Sequence, residues 1–168
     1  MPEDKSLLSV ENLRVSFDTP KGVVEAVRGI DFELGQERLG IVGESGSGKS
    51  TVARAVSQLL RGDRVSVEGS VRLEGTRIDV LNRRRLRGHR HLMQMIFQDP
   101  NDALDPRMTV RQSIEQPAQI LRKSDELDLT TRVDDALDAV GLTAAMGDRR
   151  PHELSGGQRQ RVNIARAL

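Results

Sequence analysis

The residues best suited to chemistry are eight in a row, Gly43-Glu44-Ser45-Gly46-Ser47-Gly48-Lys49-Ser50, with Thr51 behind them. They satisfy the spacing G-x-x-x-x-G-K-[ST] of a phosphate-binding loop at every fixed position. Gly43, Gly46 and Gly48 carry no Cβ, so the loop can take positive φ and come close to a ligand. Successive backbone N–H groups then face inward as an anion nest. A helix starting near Lys49 adds the partial positive charge of its N-terminus. Lys49 brings a full charge within reach of β- and γ-phosphates, and the Ser50 hydroxyl is placed to ligate Mg²⁺.

Three other places carry functional side chains. Met95-Ile96-Phe97-Gln98-Asp99-Pro100 reads as an apolar strand that Pro100 must end, because proline cannot continue a ladder. Gln98 and Asp99 then stand at the C-terminal end of a strand, where ligands sit in open α/β sheets. Asp99 as a Mg²⁺-holding acid, Gln98 as a bridge between metal and attacking water, and an ordinary strand exit all fit this pattern. Leu154-Ser155-Gly156-Gly157-Gln158-Arg159-Gln160-Arg161 opens a helix carrying Val162, Ile164, Ala165 and Leu168. Ser155 either caps that helix or donates to a phosphate, and Gly156 and Gly157 bare their N–H groups at its start. Phe17, one of 3 Phe in a chain without Tyr or Trp, either stacks on an adenine ring or is an apolar strand residue.

The elements that must position these groups follow from periodicity. Leu39-Gly40-Ile41-Val42 suits a buried parallel strand, and Val52, Ala53, Val56, Leu59 and Leu60 recur at helical spacing after the loop. Ahead of the loop, three segments predict a small antiparallel layer: Leu13-Val15-Phe17, Val23–Val27 and Ile30-Phe32-Leu34, with a turn at Asp18–Gly22. Val65–Val67 and Val71–Leu73 read as a short hairpin around Glu68-Gly69-Ser70. Thr109 caps a helix that Pro117 should kink or end, and Lys123–Asp128 reads as a charged connector. Thr130 or Thr131 caps a second helix, which Gly141 stops. Arg83-Arg84-Arg85, Arg87 and Arg90 form a basic run without interleaved aromatics, which favours a solvated helix face over a nucleic-acid or lipid contact. A net charge of +1 likewise gives no reason to expect a nucleic-acid partner. With 0 Cys there is neither a disulfide framework nor a thiolate metal site, which suits a reducing compartment. Residues 1–8 are mixed in charge, unlike a signal peptide, and no apolar run approaches membrane-spanning length. Any membrane association is therefore expected through a partner or through another part of the protein.

Taken together, the motifs resemble those of the nucleotide-binding domains of ABC transporters, over about residues 8–168. Gly43–Thr51 is similar to the family's Walker A motif, Gln98 in Ile-Phe-Gln-Asp-Pro resembles the Q-loop glutamine, and Leu154–Gln158 matches the LSGGQ signature. Phe17 lies where that family places its adenine-stacking aromatic. Asp105–Val110 and Pro151–Leu154 are similar to the oligopeptide/dipeptide (and nickel) importer subfamily. A departure is Leu34-Gly35-Gln36-Glu37, a turn one residue shorter than usual.

The resemblance implies an α/β fold: a P-loop NTPase core with a parallel sheet incomplete here, an N-terminal antiparallel β layer and a helical insertion. It divides the chain into 8–99 (β layer and P-loop core), 100–154 (helical subdomain) and 155–168 (signature helix). It implies ATP and Mg²⁺ as cofactors. ATP would be held by Phe17 and Gly43–Thr51, and the metal by Ser50 and Gln98. Ser155, Gly156, Gly157 and Gln158 would meet the ATP of a partner protomer. The implied partners are a second ABC ATPase domain, transmembrane permease subunits and, indirectly, an extracellular or periplasmic substrate-binding protein. The implied location is the cytoplasmic face of the cell membrane. The family's Walker B acid, catalytic glutamate and switch histidine follow the signature helix, and no run of four apolar residues followed by Asp-Glu occurs among these 168 residues. The expectation is thus a truncated domain with hydrolysis near background by itself. A soluble ABC-type ATPase outside transport, a non-catalytic remnant and a minimal P-loop enzyme using Asp99 are the competing readings.

Overall fold

A computed structural model describes residues 6–99, 103–121 and 126–168. Backbone packing divides the chain into two compact units, Met1–Leu86 and Arg87–Leu168.

The first unit is built on β1 (Leu8–Thr19), β2 (Gly22–Leu34), β3 (Val65–Leu73) and β4 (Thr76–Arg77). They form a four-stranded antiparallel sheet in the order β2-β1-β3-β4. Alternation along β1 buries Val10, Leu13 and Val15, and Val71 and Leu73 of β3 join them. The turn expected at Asp18–Gly22 is present, with Thr19 Oγ1 donating to the Gly22 carbonyl at 2.7 Å. Helix α1 (Lys49–Val56) packs on β1 and β2 and buries Val52, Ala55 and Val56.

Central strand β1 carries a bulge. Asn12 takes φ +46°, and the register shifts beside it against both neighbours. Gly69 of β3 makes room for it, since a Cβ there would stand 2.5 Å from the Asn12 carbonyl oxygen. This corrects the expected hairpin: β3 is one strand, and Gly69 serves a close backbone approach, not a turn. The hairpin turn lies at Glu74-Gly75, where both residues have positive φ. Asp79 finishes that corner by accepting from Val71 N (3.0 Å) and from Arg77 (2.6 Å). Likewise the two segments expected at 23–27 and 30–34 are a single strand, β2.

Two further expectations are corrected. Leu39–Val42 and Met95–Phe97 are not strands. Parallel strands need ladder partners, and neither segment has one among the described residues; Val42 stays 95% exposed. Helix α1 ends at Val56, so Leu59 and Leu60 lie beyond it. Gln58 takes a left-handed φ of +55°, and Leu59 N turns back to the Arg54 carbonyl at 2.9 Å.

Helix α2 (Arg83–Arg87) follows β4 in the chain, buries Leu86 and leaves its arginines exposed. The second unit gathers α3 (Val110–Leu121), α4 (Glu126–Ala139) and α5 (Gly156–Ala165) around a shared core. Val110 and Ile114 of α3, Val133 and Leu137 of α4, and Val162 and Ala165 of α5 supply most of it. Thr109 caps α3 as expected, its Oγ1 accepting from Gln112 N at 3.2 Å. Pro117 does not end α3, which continues through it. Helix α4 starts before the threonines expected to cap it, so Thr130 and Thr131 are interior, and Gly141 (φ +68°) follows its end. Pro100 and residues 123–125 of the expected connector lie outside the described residues.

Candidate functional site

The glycine loop expected to bind phosphate starts from the exposed segment Leu39–Val42 and ends on α1. Ser47 N donates to the Glu44 carbonyl at 3.2 Å, closing a turn with Gly46 at φ +83°. Gly43 must lack a side chain unless Ser47 moves, because a Cβ there would stand 2.7 Å from Ser47 Oγ. Gly48 has φ +95°, and a Cβ on it would fall 2.6 Å from the Ala26 carbonyl of β2. The loop is therefore seated directly on the sheet backbone through Gly48. Lys49 Nζ donates to the carbonyls of Gly43 (2.8 Å) and Glu44 (2.5 Å), and reaches Ser47 Oγ at 3.3 Å. The ammonium thus lies across the loop.

No side chain caps α1, and its first turn holds no acidic residue. Its positive end and first N–H groups are available to an anion. Glu44, Ser45, Ser47 and Ser50 are exposed, and Thr51 is half-buried. A glycine-lined loop with no room for a side chain at Gly43 and Gly48, an uncapped helix start and a lysine across it together fit a polyphosphate.

Phe17 sits near the end of β1, opposite Val24 of β2 and Val65 of β3, and is half-buried. Its ring is only partly used by packing.

In the second unit, Ser155 caps α5. Its Oγ accepts from Gln158 N at 3.2 Å, and Gln158 Oε1 accepts from Ser155 N at 2.9 Å. This reciprocal box satisfies donors at the helix start, while the hydroxyl proton of Ser155 remains available to an acceptor. Gly156 and Gly157 are exposed, and added Cβ atoms would meet nothing within 4 Å. Gln98 is exposed at a bend just after Phe97. The Phe97 carbonyl accepts from Asn163 Nδ2 of α5 at 3.0 Å. The sequence reading missed Asn163, although an amide amid Val162, Ile164 and Ala165 was a visible signal. Ahead of α3, Asp105 accepts from Arg107 Nη2 at 2.9 Å and from Arg107 N at 3.0 Å. These bonds hold its pKa down to about 2. Among the described residues no group of three or more His, Cys, Asp or Glu is gathered to hold a metal.

The profile of the ABC transporter family matches residues 27–168. The chain belongs to the ABC transporter family. It is 45% identical over 166 residues to the putative oligopeptide transport ATP-binding protein YkfD of Bacillus subtilis, covering 96% of this chain and 49% of that protein. It is 42% identical to the oligopeptide transport ATP-binding protein OppF of the same organism, covering 98% of this chain and 53% of the relative. The chain thus spans about half the length of these curated relatives. Among solved structures it is similar to the dimeric structure of MJ0796, a bacterial ABC transporter cassette. The TM-score is 0.77 at 25% identity, covering 96% of this chain and 68% of that one. The same cassette is known in a dimeric post-hydrolysis state bound to ADP and Pi, with the same TM-score of 0.77. The fold of this chain follows from its family. No described helix is long and apolar enough to cross a membrane.

Proposed function

We propose that the chain is the ATP-binding portion of an importer's ATPase subunit, which couples ATP binding and hydrolysis to uptake of peptides or a related small solute. The observation that carries this reading is a contrast between two helix starts on one chain. The start of α1 is uncapped, glycine-lined and crossed by Lys49; the start of α5 is capped from within and fronted by two open glycines. The first is suited to grip the phosphates of the chain's own ATP. The second is suited to close over the ATP of a partner ABC domain paired head to tail.

In this reading Gly43–Thr51 hold the phosphates and Phe17 stacks on the adenine. Ser155, Gly156, Gly157 and Gln158 contact the partner's nucleotide. Ser50 and Gln98 supply oxygens to Mg²⁺, which would neutralise charge on the β- and γ-phosphates. Residues 8–99 form the nucleotide-binding part, 100–154 the helical part facing a transmembrane permease, and 155–168 the signature helix. A substrate-binding protein acts through the permease, and the subunit works peripherally at the cytoplasmic face of the membrane. These 168 residues hold no run of four apolar residues followed by Asp-Glu. Lacking that acid and the catalytic glutamate, this stretch hydrolyses ATP near background alone.

Calorimetry with Mg²⁺-ATP tests the reading. Lys49→Ala removes a charge-assisted contact worth about 1.5–3 kcal/mol, so affinity should fall roughly ten- to a hundredfold. Equal affinity of parent and variant refutes the assignment.

A further inference from the structure

We infer that α5 is the anchor of the segment bearing Gln98, and that Asn163 and Arg166 are positioning residues for Gln98. The inference rests on the roles proposed above for Gln98 and Ser155. Asn163 is 3% exposed, on the face of α5 that also buries Val162 and Ala165. A buried amide is tolerated when its hydrogen bonds are made, and here Nδ2 donates to the carbonyl of Phe97, the residue before Gln98. One turn further along the helix, Arg166 Nη1 donates to the Ala103 carbonyl. Gln98 therefore lies between two backbone carbonyls held by the same helix.

Among the described residues, 93–99 pair with no strand, and Ile96 is 45% exposed. The helix that grips it begins at Ser155, where Gly156 and Gly157 stand open. An α-helix rises about 1.5 Å per residue with every interior backbone group bonded, so it moves as a rod over this length. A shift of its glycine end is therefore passed to the backbone at Phe97. Whatever Ser155 binds sets where Gln98 stands, and Asn163 and Arg166 are the two grips.

Amide hydrogen exchange on the chain tests the anchor, and steady-state kinetics of the full-length ATPase test its use. Asn163→Asp keeps the shape of the side chain but loses the Nδ2 donor, and should raise exchange in 93–99 at least tenfold while α3 and α4 keep parent protection. Arg166→Ala should loosen the same stretch, and Arg166→Lys, still a donor, should restore it. In the full-length ATPase, Asn163→Asp should lower kcat at least tenfold with the KM for ATP unchanged. If Asn163→Asp does not fold, the Arg166 pair decides alone. Unchanged exchange at 93–99, or loosening spread equally over α3 and α4, overturns the anchor. Local loosening with unchanged kcat overturns the positioning role. Failure of the ATP-site reading would show separately, as Lys49→Ala binding ATP like the parent.

Discussion

Gly48→Ala and Gly46→Ala are a matched pair that isolates how the phosphate loop is seated. Both glycines are left-handed, at φ +95° and +83°. Placing an L-residue there costs roughly 1–2 kcal/mol in either case. They differ in what a Cβ would meet. At Gly46 there is nothing within 4 Å; at Gly48 the Ala26 carbonyl oxygen is 2.6 Å away. That atom is backbone in a paired strand and cannot rotate aside, so the start of α1 must lift from β2. Forcing an extra methyl into a packed site typically costs about 1–3 kcal/mol more. The expected result is a loss of about 1–2 kcal/mol for Gly46→Ala and about 2–5 kcal/mol for Gly48→Ala. The larger value is a substantial part of a domain's usual ~5–15 kcal/mol. Urea unfolding of both variants beside the parent, followed by circular dichroism, gives the difference directly. Equal destabilisation by the two alanines would refute the claim that Gly48 seats the loop on the sheet.

Ser155→Ala removes the cap of α5 and should cost about 1 kcal/mol, read by thermal unfolding, while ATP affinity of the isolated chain stays at the parent value by calorimetry. Leu137 of α4, fully buried in the core cluster shared with α3 and α5, should cost about 2–5 kcal/mol as Leu137→Ala, measured by urea unfolding. Burial raises the Asp79 pKa, but the bonds from Arg77 and Val71 N outweigh it and leave the pKa lowered. Its contribution is therefore present above the ordinary carboxylate range near pH 4 and lost as pH falls through the lowered value; Asp79→Ala should destabilise at pH 7, by an amount that shrinks as the pH is taken below that range, read by urea unfolding along a pH series. Asp105 should titrate near pH 2 by carboxyl NMR, with the midpoint moving up in Arg107→Gln.

What the sequence disclosed follows from how local each signal is. The tight glycine turn before α1, the caps at Thr109 and Ser155, and the stop at Gly141 depend on a few adjacent residues, and all were legible. The strands were legible as apolar alternation but not in their extent. A glycine in an alternating run reads as a turn, yet Gly69 and Gly29 sit inside strands because of the bulge at Asn12, a partner many residues away. Leu39–Val42 and Met95–Phe97 have apolar character that suits strands, but a strand is defined by its ladder, and no described neighbour provides one. Asn163 was overlooked because its role depends on the Phe97 carbonyl, which no spacing rule connects to it.

The bulge at Asn12 also governs where this protein can be lengthened. Gly69 on one side and Gly29 on the other are fitted to one position of the central strand, and Asp31 accepts from the Asn12 amide at 2.7 Å. A residue inserted or deleted between that point and either end of β1 would slide side chains onto the wrong face of the sheet. The far end of the hairpin is under no such restraint: Pro20, Lys21 and Gly22 are exposed, and a Cβ on Gly22 would meet nothing within 4 Å. An epitope tag or fluorophore-binding loop spliced between Pro20 and Lys21 is therefore the graft that leaves the sheet's pairing in place.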